Sequence, residues 1–107
     1  MEKIIKICES LADIEMRMDN GELPFECDNL HSAMKLGHPV EILDEIIAPC
    51  YYDVMGGKKP TLAKVKKMHK QLKTFQRAFK VNISTIIREI AEYIAQEEAV
   101  TEKGDEG

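Results

Sequence analysis

The sequence predicts an all-α domain, a small irregular bundle of about five helices that ends in a long helical hairpin. Three observations carry that prediction. Apolar residues recur with a period near 3.6 in five segments, and no stretch alternates with period two for long. Asn, Gly and Pro fall between those segments, where they interrupt helices. The 107 residues, 44% hydrophobic and 32% charged without a break in composition, match one ordinary domain over 1–100 followed by an acidic tail over 101–107.

The first helix is expected over about 2–18, with Ile4, Cys8, Leu11 and Met18 on one face. Asp19-Asn20-Gly21 ends it, because these residues tolerate left-handed backbone angles. Pro24 suits a first turn, and Leu23, Cys27, Leu30 and Met34 mark a second helix that stops at Gly37. A third starts at Pro39 with Val40, Leu43, Ile47 and Cys50 inward. Pro49 lacks an amide hydrogen and crowds the preceding turn, so this helix should kink or stop near Ala48, leaving 50–55 as a short separate turn.

The fourth helix, opened by Pro60 or Thr61, is the most regular. Leu62, Val65, Met68, Leu72, Phe75 and Phe79 step by three or four along it. Asn82 is placed to cap the fifth helix and Val81 to pack on Ile86. Ile83, Ile86, Ile87, Ile90 and Ile94 supply that helix's inner face. From Thr101 the acidic, glycine-containing tail is expected to be disordered.

Charge is distributed unevenly. The 58–80 segment holds nine of the 15 bases and no acid, so it stands at +9 while the remainder stands at −13. Lys66, Lys70, Lys73, Arg77 and Lys80 step by four, three, four and three, a stripe opposite the apolar one. Like charges at this spacing destabilise an isolated helix by a few tenths of a kcal/mol per pair, so something is expected to offset them. Three partners are open: acids of the same chain, a nucleic-acid backbone, or an acidic protein surface, a second copy included. The phosphate reading uses Lys59, Lys66, Lys70, Lys73, Arg77, Lys80, Asn82 and Arg88. Lysine acts as a point charge and the stripe carries no aromatic, so little sequence choice is expected.

The stretch from Phe75 to Ile90 resembles the core of helix-turn-helix DNA-binding proteins. Val81, Asn82, Thr85, Ile86 and Arg88 match the turn and the opening of the recognition helix. The resemblance implies that Asn82, Ser84, Thr85 and Arg88 approach bases while lysines touch the backbone. Lys80 stands where that family favours glycine, and Glu89, Glu92, Glu97 and Glu98 make the second helix acidic. A plain helical hairpin packed lengthwise accounts for the same pattern and is preferred. His31-Ser32-Ala33-Met34-Lys35-Leu36-Gly37 has the residue types of histidine phosphotransfer domains, at a stretched spacing.

Catalytic signatures are thin. Cys8, Cys27 and Cys50 form no CxxC pair and sit on apolar stripes, as small buried hydrophobes do. Cys27 and His31 share a helical face without a third ligand beside them, and Gly56-Gly57-Lys58 lacks the rest of a phosphate-cradling loop. No metal, no cofactor and no enzymatic activity are therefore expected. No apolar run approaches the ~18 residues of a membrane span, and the amino terminus has no signal-peptide pattern, which points to the cytoplasm.

Overall fold

The computed structural model describes residues 2–25 and 39–106, the side chains of 101–106 left aside. Among these residues stand four helices: α1 (Glu2–Asp19), α2 (Pro39–Met55), α3 (Leu62–Phe79) and α4 (Ser84–Glu106). The all-α class holds, with four described helices where about five were expected. Pro24 and Phe25 are not helical, and the rest of the expected second helix, with Cys27 and His31, lies outside the described residues.

Glycines end two helices, Gly21 as the sequence suggests. Gly21 and Gly57 take φ of +78° and +76°. Glu22 N–H then donates to the Arg17 carbonyl at 2.8 Å, and Lys58 N–H to the Asp53 carbonyl at 2.7 Å, so both last turns close on backbone bonds. α3 ends instead on Lys80, which holds a φ of 53° despite its Cβ. Left-handed angles cost a non-glycine residue ~1–2 kcal/mol, part of which glycine's larger unfolded-state entropy would cancel. Lys80→Gly is accordingly expected to stabilise the fold by about 0.5–1 kcal/mol in urea unfolding. A lower midpoint would mean that the Lys80 side chain contributes more than its backbone costs.

Two expectations need correction. α2 does not stop near Ala48 but runs unbroken from Pro39 to Met55 with Pro49 inside it. Pro49 and Glu45, four residues back, are both exposed, so the carbonyl that loses its amide partner lies on the solvated side. Leu43, Ile46 and Ile47 before the proline and Cys50 and Val54 after it share one buried face, and packing carries the helix past the missing bond. At the other end of the chain, α4 continues to Glu106 where a disordered tail was expected from Thr101. No proline interrupts its hydrogen-bond ladder, and Gly104 costs a helix only about 1 kcal/mol.

Each helix packs on its neighbours in sequence, and α1 closes the ring against α4. Side-chain pairs give the directions. Lys64 at the start of α3 meets Asp53 near the end of α2 at 2.7 Å, and Lys66 meets Glu98 of α4 at 3.3 Å. Late α1, at Asp13 and Arg17, borders Asn82 and Ile86, while Lys3 at its start meets Glu92 at 3.8 Å. Neighbouring helices are therefore antiparallel, an up-down-up-down arrangement. Leu11, Leu43, Leu72 and Ile90, one from each helix, are all 0% exposed and form the middle of the core. The terminal hairpin is α3 with α4.

Late in α1, Glu15 sits against Asp44 of α2. Burial pushes its carboxyl up to about 7, and repulsion from Asp44 and then Asp19 adds to the effect. A raised carboxyl means that the folded chain holds a proton which the unfolded chain has released. The stability this contributes is complete below the ordinary carboxylate range and is lost as pH rises toward about 7. Glu15→Gln removes the titration. Its urea midpoint is expected to gain on the parent's progressively between acid and neutral pH, and a constant difference would contradict the assignment.

Candidate polyanion-binding face

α3 is positioned by its own apolar stripe. Val65, Met68, Leu72, Phe75 and Phe79 are buried, with the Phe75 and Phe79 rings tilted against one another at 5.0 Å between centroids. Thr61 caps the helix by accepting from Lys64 N–H at 3.3 Å. With that face committed to the core, Lys66, Lys67, Lys70, Lys73 and Arg77 are all exposed.

The tertiary structure divides the basic segment in two. Toward its amino-terminal end three bases are neutralised within the chain, while Lys58 makes no ion pair among the described residues. Lys59 pairs with Glu97, Lys64 with Asp53, and Lys66 with Glu98. Glu97 and Glu98 come from α4, the expected fifth helix, and Asp53 comes from α2. Exposed pairs of this kind contribute only ~0–1 kcal/mol each, but they cancel charge. Toward the loop, Lys67, Lys70, Lys73 and Arg77 make no ion pair among the described residues, and neither does Arg88 on α4. Lys67 was not singled out from the sequence, because it lies a third of a turn off the helical stripe. The groove between α2 and α3 places it beside Lys70.

The remaining predicted site residues have local tasks. Lys80 terminates α3 in its left-handed conformation. The Asn82 side chain accepts from Ser84 N–H at 3.3 Å, as a cap of the loop. Gln76 reaches across the same loop and accepts from Ile83 N–H at 2.8 Å, with Ser84 Oγ 3.2 Å away. Val81 and Ile83 are buried at 0% and 2% exposure. This loop joins two helices that run back along one another, as the Lys66–Glu98 contact far from the loop requires. A helix-turn-helix crosses its helices at ~90–120°, so the lengthwise hairpin is the geometry present. Asn82 and Ser84 are spent on closing it.

Lys73, Arg77 and Arg88 line one groove of about 610 Å³ between α3 and α4, with His69 beside them. His69 is half-buried, and burial, with the nearby Lys73 charge, lowers its pKa from the usual histidine value; a hydrogen bond with the Ile87 backbone opposes this. Elsewhere, burial pushes the Cys8 thiol up to about 12 and the Cys50 thiol up to about 11. Both therefore stay protonated near neutral pH, as core residues rather than nucleophiles.

Among the described residues, no three His, Cys, Asp or Glu side chains gather as a metal site, and no helix is long and apolar enough to cross a membrane. No family model matches the chain, and no curated protein or solved structure shows significant similarity to it.

Proposed function

We propose that this chain is a small non-enzymatic regulatory or accessory protein that grips the nucleic-acid backbone with Lys67, Lys70, Lys73, Arg77 and Arg88. The observation that carries the reading is selective neutralisation. Lys59, Lys64 and Lys66 are matched by carboxylates, while these five make no ion pair among the described residues. Four of them span ten residues of helix, about 15 Å, a length that follows a few successive phosphates. Lysine point charges without aromatics favour phosphate contact with little reading of bases. The protonated, buried thiols support the non-enzymatic part of the proposal.

The test is fluorescence anisotropy with a mixed-sequence duplex at low salt. The parent chain is expected to bind, and Lys70→Glu with Lys73→Glu to lose at least tenfold in affinity. Equal binding by the double variant would sink the proposal. A second reading is an acidic protein partner, a second copy of this chain included. It is favoured by the groove between α2 and α3, where Lys67 and Lys70 edge Ile42, Ile46 and Phe79. Absence of duplex binding, together with a dimer mass or a captured acidic protein that the same charge reversals release, would favour it instead.

A further inference from the structure

The seam between α3 and α4 changes character along its length. Far from the loop its register sets base against acid, with Lys66 on Glu98. Nearer the loop it gathers base with base. Lys73 and Arg77 from α3 and Arg88 from α4 line one concave groove, and no carboxylate lines it. Three like charges around a groove repel one another, and the repulsion is relieved most directly by an anion among them.

The remaining lining suits such an anion. Gln76 and Ser84, beside the cations, are tied to one another across the loop at 3.2 Å, so that rim is held in place. Ile87 and Ala91 supply an apolar side that lowers the local dielectric. Two guanidinium groups present forked donors matched to the oxygens of a tetrahedral anion, and a lysine adds a point charge.

We propose that this groove is a discrete seat for a single phosphate group, held by Arg77, Arg88 and Lys73. The inference rests on the polyanion reading and deepens it. Lys67 and Lys70 supply diffuse attraction along the helix, while the groove fixes where one phosphate lies.

His69 is the built-in reporter. The charged groups lining the groove with it are Lys73 and Arg77 from its own helix and Arg88 from α4, all positive. Burial, and then Lys73, holds the imidazole below its usual pKa. A bound anion opposes the effect of those cations and moves the imidazole pKa upward.

The experiment follows the His69 ring by NMR through a pH titration of the full chain. It compares sulfate, a tetrahedral dianion, with chloride at equal ionic strength, and adds a short mixed-sequence duplex as a separate arm. Sulfate is expected to raise the His69 pKa in the parent and in Lys6→Gln, an exposed lysine of α1 outside the groove. Arg88→Gln should weaken the sulfate effect by about tenfold. No upward movement, or an equal one in Arg88→Gln, overturns the seat. The duplex arm separates the two proposals. A duplex that binds without moving His69 refutes the seat and leaves the backbone reading intact. A sulfate response that depends on Arg88, with no duplex binding, supports the seat for a smaller phosphate and removes the nucleic-acid reading.

Discussion

Raising monovalent salt from about 50 to about 200 mM is expected to weaken duplex binding by roughly 100- to 500-fold. The figure follows from the number of bases assigned to the grip, Lys67, Lys70, Lys73, Arg77 and Arg88. Four or five cations that each neutralise a phosphate give a log–log slope near −3.6 to −4.5, through release of condensed counterions. Counting all nine bases of the 58–80 segment would predict about twice that slope. The salt dependence therefore measures whether the ion pairs on Lys59, Lys64 and Lys66 hold in solution. Neutralising Lys70 or Lys73 should reduce the slope by about one each.

A change outside the basic residues sharpens the same test. Glu98→Gln removes the acid partner of Lys66 and lengthens the free stripe by one turn. Affinity is expected to rise several-fold and the slope to steepen by about one. No change on Glu98→Gln would show that Lys66 already engages the polyanion in spite of its carboxylate.

The second large effect is on stability. Leu72→Ala is expected to cost about 2–5 kcal/mol, because the removed methyl groups lose their burial and leave a cavity that four antiparallel helices close only in part. Leu72 is 0% exposed, and Leu11, Leu43 and Ile90 from the other three helices are equally sealed. Against a typical domain stability of about 5–15 kcal/mol, this is a large fraction of the whole. Urea unfolding of Leu72→Ala beside Leu72→Met separates volume from chemistry, since methionine nearly conserves volume and should cost under about 1.5 kcal/mol. Equal losses from both would mean that the site tolerates no rearrangement at all. A negligible loss from alanine would place Leu72 outside the true core.

The buried face of α3 was legible residue by residue. Val65, Met68, Leu72, Phe75 and Phe79 follow the helical period strictly, and each is buried. The inner face of α4 was read less completely, because five isoleucines drew attention from Tyr93, which is 4% exposed while Ile86, Ile87 and Ile94 are only partly buried. A tyrosine among acids reads as surface until a neighbouring helix covers it. Pro49 misled for a related reason. Its local cost is real, but the buried residues on both sides of it belong to one continuous face, and that continuity is a property of the packed bundle.

By itself the sequence determined the helical class, the turn at Gly21, the apolar stripe of α3 and the gathering of bases on its opposite side. Each of these depends on spacings within one segment, and helical geometry converts such spacings into faces. Only the tertiary structure decided which of those bases remain unmatched. Glu97 and Glu98 lie more than thirty residues beyond the lysines they meet, and Asp53 comes from the preceding helix. Nothing in a linear charge pattern says which acids an antiparallel register will bring across. The same register brought Arg88 into the groove of Lys73 and Arg77, because ion pairing depends on distance in space, and distance in space is set by how the helices pack.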